Sequence, residues 1–167
     1  GIGSESFREE YVPFGHSNFQ TLINELRTFA NQPGGQPIVI LTTVGNSIPD
    51  FFREFINQGI SAFDIPVLGL DAVEADFEGL DTAPLVGHLN CWAYLKNASG
   101  SKNKEFLSNW ASYVTTKSVP FSATTVIDPM VSTYDGIHLW AMASEKAGSF
   151  DVPAVREAFP GLSFACP

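Results

Sequence analysis

Hydrophobic and polar positions along the chain switch repeatedly between two periods. Ile38, Val39, Ile40 and Leu41 form an unbroken apolar run, the pattern of a strand covered on both faces of a parallel sheet, and it is expected to be the central strand. Thr42, Thr43, Val44, Gly45, Asn46 and Ser47 follow as a polar turn, and Phe51, Phe52, Phe55 and Ile56 then recur at helical spacing. This predicts a helix over residues 49–58 that packs back on the sheet through its rings.

The rest of the chain repeats the alternation. Residues 7–12 read as a short strand, and Ser17 or Asn18 can cap a helix with Phe19, Leu22, Ile23, Leu26, Phe29 and Ala30 on one stripe. After Gly59 as a helix stop, residues 66–70 and 87–93 read as further strands, with Asp71 suited to cap a short helix between them. Residues 102–116 are expected as a helix bearing Phe106, Trp110, Tyr113 and Val114, and residues 117–125 as a linker. Asp128 before Pro129 predicts an N-cap and first turn, Gly148 the end of that helix, and Asp151-Val152-Pro153 the start of a last one. Strands that alternate with helices imply an α/β fold: a doubly wound parallel sheet with helices on both faces. Residues 1–6 are small and polar and read as a tail before a single α/β lobe over residues 7–167.

Composition narrows the function classes. Eighteen acidic against nine basic residues give a formal charge of -9 over 167 residues, which repels phosphate backbones, so nucleic acid is not an expected partner. No apolar stretch approaches the roughly 18 residues of a membrane span, and the start of the chain lacks a basic segment followed by an apolar core. Cys91 and Cys166 have no metal-ligand spacing; Cys91 lies in an apolar run and is expected as a buried small hydrophobe, with a bridge to Cys166 left open. Asn97-Ala98-Ser99 fits a short glycosylation pattern that arises often by chance.

Catalytic chemistry finds no support in the pattern. His16, His88 and His138 are isolated from one another and from the cysteines, so no metal site and no other cofactor is expected. No GxSxG elbow follows a strand, and the turn after Leu41 offers Gly45 alone in place of a phosphate-binding loop. Asp71, Glu74, Asp76 and Glu78 can be read as an acid and base pair, but four acids beside a helix start are more often caps and solvated charges. In open α/β sheets ligands sit beyond the carboxyl ends of the strands. That places a binding rim, without an activated nucleophile, at residues 43–46, 71–74 and 92–94 together with Tyr134.

Several motifs carry a family likeness. Glu9-Glu10-Tyr11-Val12-Pro13-Phe14-Gly15-His16-Ser17-Asn18-Phe19, then Asp128-Pro129-Met130, Tyr134-Asp135-Gly136-Ile137-His138-Leu139-Trp140, Glu145-Lys146-Ala147-Gly148-Ser149 and Val155-Arg156-Glu157-Ala158 resemble the substrate-binding proteins of urea and short-chain amide ABC transporters. These are relatives of the branched-chain amino acid binding proteins with the type 1 periplasmic-binding fold. The resemblance implies a non-enzymatic, periplasmic or otherwise extracytoplasmic receptor lobe that works with a membrane permease. Its match is to the second of two lobes that close on a small solute, the partner lobe being absent. Carried over by position, the ligand side would hold Val44, Gly45, Asn46, Asp71, Ala72, Glu74, Trp92, Tyr94 and Tyr134, with Asp71 where amino-acid binders hold an ammonium group. Residues 42–47 depart from the Asn/Gly/Asp-rich turn of urea-type relatives. The competing expectation is a lobe repurposed as a structural or docking subunit of a larger assembly.

Overall fold

The computed structural model describes residues 7–120 and 125–167, so the expected tail at residues 1–6 and part of the expected linker lie outside the described residues. Its elements run α1 (Gln20–Ala30), β1 (Val39–Leu41), α2 (Ser47–Asn57), β2 (Val67–Gly69), β3 (Leu89–Asn90), α3 (Ser101–Lys117), α4 (Asp128–Ala147) and α5 (Val152–Ala158), with short 3-10 turns at Glu74–Phe77 and Ala83–Leu85. The strands pair in the order β1-β2-β3, all parallel. The class is therefore α/β with a parallel sheet, as the alternation of periods implies. The chain divides into two compact units, the first ending at Trp92 and the second beginning at Ala93.

In the first unit, α1 and α2 bury Phe19, Ile23, Ile48, Phe51, Phe52 and Phe55 with Leu41 of β1 and Val67 of β2. The rings meet mostly edge to face, Phe19 on Phe51 at 5.5 Å and Phe51 on Phe52 at 5.4 Å, the arrangement that aromatic quadrupoles favour. Two expectations need correction here. The run 38–41 is not the central strand: β2 lies between β1 and β3, and Ile40 is 60% exposed. Residues 7–12 form no strand; Arg8 binds Glu10 and Glu25, and the Tyr11 hydroxyl donates to Glu9, so these side chains satisfy each other beside irregular backbone.

Strand β3 is also shorter than residues 87–93. Gly87 has φ +103°, and the Val67 amide donates to His88 Nδ1 at 3.0 Å instead of to a backbone carbonyl, so the ladder starts only at Leu89. Helix α2 begins two residues ahead of the expected start, with Pro49 inside its first turn, where a missing N–H costs little. Asp71 caps no helix; the Glu74–Phe77 turn is closed by the Val73 amide donating to the Asp76 carboxylate at 2.8 Å.

In the second unit, Tyr94, Val126 and Val131 form a small core with Phe106, Leu107 and Trp110, and α4 packs on α5. Asp128 sits at the first helical position of α4, not at its N-cap. Its buried carboxylate accepts the Tyr94 amide at 2.6 Å and the Ser132 hydroxyl at 3.1 Å. Gly148 ends α4 in the left-handed conformation, and Asp151 caps α5 by accepting the Ala154 amide, both as the sequence predicts. Cys91 and Cys166 are free and exposed, which corrects the expectation of a buried Cys91.

Candidate functional site

Parallel pairing in register, Leu41 with Gly69 and Gly69 with Asn90, brings the carboxyl ends of all three strands to one edge of the first unit. At the end of β1 the chain turns through Gly45 (φ +64°), a left-handed conformation that a side chain at this position would strain, and enters α2. Residues of this turn, Thr42, Thr43, Val44 and Ser47, line a cavity of about 140 Å³ with the segment from Glu10 to Phe14. Ser47 is fully buried and its hydroxyl has no hydrogen-bond partner. A buried hydroxyl without a partner is costly, about 1–3 kcal/mol.

Charged and polar groups around this cavity are largely committed within the chain. The Ile48 amide is used by the Gly45 carbonyl and Pro49 has none, which leaves few free donors at the start of α2. Asp50 already occupies the first turn, where it pairs with Arg53, and Glu10 stands at the opposite wall. Each of these acids already has an arginine partner, Glu10 with Arg8 and Asp50 with Arg53. The hydroxyls of Thr42, Thr43 and Ser47 can both donate and accept hydrogen bonds.

At the end of β2, Ala72 is buried and its carbonyl oxygen accepts from Asn90 Nδ2 and from Trp92 Nε1, the latter at 2.6 Å. Trp92 thereby fixes the turn that presents Asp71 and Glu74. Gly69 makes room for this, because a Cβ there would stand 3.0 Å from Asn90 Oδ1. Asp76, behind the turn, has its carboxyl raised above the usual range by burial, against the opposing effect of the Val73 amide. Val44, Gly45, Asn46, Asp71, Ala72, Glu74 and Trp92 thus share the strand-end edge of the first unit. Ser47, Asn90 and His88 were not singled out by pattern, since each acts through a partner distant in sequence or through a cavity.

The remaining two expected residues belong to the second unit. Tyr94 is buried, and its hydroxyl donates to Asn103 Oδ1 at 2.8 Å while Asn103 Nδ2 donates to the carbonyls of Lys96 and Ala98. Tyr134 is 39% exposed and packs in a ring cluster with Phe106 at 5.0 Å and His138 at 4.5 Å. Among the described residues, no three His, Cys, Asp or Glu side chains come together as a metal site.

The whole chain, residues 1–167, matches the periplasmic binding protein domain family. The chain belongs to that family. A search of curated proteins finds no match. Proteins of the family bind small solutes outside the cytoplasm and are generally non-catalytic. Among the described residues no helix is long and apolar enough to cross a membrane.

Proposed function

We propose that this chain is a solute-binding lobe of an extracytoplasmic receptor for an ABC transporter, and that its solute is a small neutral amide or urea, with a small amino acid as the less favoured alternative. The observation that carries this reading is the cavity at the end of β1, where the buried Ser47 hydroxyl lacks a partner among walls formed by Thr42, Thr43, Val44 and residues 10–14. Its volume, about 140 Å³, is well below the roughly 300–1,000 Å³ of a pocket for a drug-sized ligand. Only a solute of a few heavy atoms suits it. Val44, Gly45, Asn46, Asp71, Ala72, Glu74 and Trp92 form the proposed rim in the first unit; Tyr94 and Tyr134, of the second unit, are assigned to the ligand side by the family resemblance alone. Residues 7–167 act in this reading as one lobe, and a second lobe closes over the solute.

A solute held from one side alone makes few hydrogen bonds, each worth about 0.5–1.5 kcal/mol in competition with water. These do not offset an association cost of roughly 4–15 kcal/mol. The isolated chain should therefore bind acetamide and urea weakly, in the millimolar range or above. Titrating labelled protein with acetamide, urea and leucine, followed by amide chemical shifts, should move the signals of residues 42–47 first. Tight, micromolar binding that Asp71→Ala and Tyr134→Ala both abolish would overturn the shared-site reading and make the single lobe a receptor by itself.

A further inference from the structure

The second unit carries a groove of about 430 Å³ at the carboxyl end of α4, apart from any residue of the proposed solute site. Trp140 and Phe150 stack at 5.8 Å with an interplanar angle of 19° along it, yet Phe150 is 79% and Trp140 48% exposed. Two stacked rings left partly open to water make a contiguous apolar surface that a ligand can cover. Ser144, only 6% exposed, also lines the groove, and its buried hydroxyl has no partner. Glu145 adds a carboxylate at the rim.

We infer that this groove binds a small organic cation bearing N–H donors, such as a primary alkylammonium. The hydrocarbon walls suit an alkyl chain, and three features select a cationic head over an anionic one. The carboxyl end of a helix carries the negative pole of its dipole, and Glu145 stands in the last turn of α4. The faces of aromatic rings, Trp above all, attract cations. The exposed Glu145 carboxylate can also accept an N–H. The nearest helix cation, Lys146, has its ammonium bound to the carbonyls of Ala158 at 2.9 Å and Pro160 at 3.4 Å, which directs its charge to the start of the C-terminal segment.

The test is a titration of the chain with n-butylammonium chloride, followed through the Trp140 indole signal and the amides of residues 144–150, with n-butanol and tetramethylammonium as controls at matched ionic strength. Saturating shifts with n-butylammonium are expected in the low millimolar range, with n-butanol at least about tenfold weaker for want of charge and tetramethylammonium weaker for want of N–H donors. Glu145→Gln should weaken binding about three- to tenfold. Trp140→Ala should abolish it, and Trp140→Phe should keep most of it. Should Trp140→Ala fail to fold, the Glu145→Gln and Trp140→Phe pair decides the matter. Equal binding of n-butanol, indifference to Glu145→Gln, or concentration-dependent self-association in place of cation binding would each overturn the inference. Acetamide binding at residues 42–47 is read separately in the same spectra, so either site can fail without the other.

Discussion

Replacing Ser47 by alanine separates the energetic and functional readings of the β1 cavity. The hydroxyl is fully buried and unpartnered, so the folded protein bears its desolvation cost of about 1–3 kcal/mol without return. Ser47→Ala keeps Cβ, removes one oxygen and places a better helix former in the first turn of α2, a further few tenths of a kcal/mol at most. The oxygen's lost van der Waals contacts offset part of this, and a net gain of about 1–2 kcal/mol remains. For a chain of this length each kcal/mol raises the melting temperature by about 2–4 °C. The same substitution removes a hydrogen bond to bound solute, so acetamide should bind about two- to tenfold more weakly. Thermal unfolding followed by circular dichroism and the amide-shift titration measure the two effects on one sample. A variant less stable than the parent would show that the hydroxyl is satisfied in solution and refute the cavity argument. A more stable variant with unchanged acetamide affinity would show that solute does not reach Ser47.

Two further predictions concern groups that hold the sheet and its end turns. Burial holds the His88 imidazole below its usual pKa of about 6.5, and the neutral ring accepts the Val67 amide, so its contribution is present in full above that pH and is lost as the pH falls toward the depressed folded value. The stability difference between the parent and His88→Gln should therefore shrink from about pH 8 to about pH 5 in paired thermal melts; a difference that grows on acidification would contradict the neutral-ring assignment. Gly69→Ala places a methyl 3.0 Å from Asn90 Oδ1 and 3.4 Å from Ala72 Cβ. It should cost about 1–3 kcal/mol and speed amide exchange at residues 72–74 by releasing Asn90 from the Ala72 carbonyl, and unchanged exchange would disprove the clamp.

What was legible in the sequence was what the chain decides locally. The apolar stripe of α1, the phenylalanine repeat of α2, the stop at Gly148 and the Asp151 cap each depend on residues within a turn or two of one another. The run 38–41 looks the same whether its neighbours lie on one side or both, so pattern could not tell an edge strand from a central one. Residues 7–12 mislead for a related reason: they carry strand formers, but the charges of Arg8, Glu9 and Glu10 are met by side chains nearby and, among the described residues, none pairs with them as a ladder partner. Among the rim residues, Trp92 was placed at the strand ends by its position, while its bond to the Ala72 carbonyl, across 20 residues, has no trace in any local pattern.

The polar groups of greatest interest escape sequence reading for a different physical reason. A serine or threonine in a helix ordinarily returns its hydroxyl to the carbonyl four residues back, as Ser112, Thr115 and Thr116 do in α3 and Thr133 does in α4. Those hydroxyls are exposed and carry little information. Ser47 stands at the first position of α2, where the chain four residues back is the turn and not a helix, and Ser144 is buried without making the usual bond. Both are ordinary letters in the sequence, and both stand out only when burial and the missing partner are seen together. Each also borders a cavity, in separate units of the chain. Two such costs, each of the order of 1–3 kcal/mol, are a sizeable fraction of a total stability of about 5–15 kcal/mol. The cost at Ser47 is offset if its hydroxyl meets a polar atom of the solute, which Ser47→Ala tests at the first cavity, while Glu145→Gln tests the charge of the cation at the second.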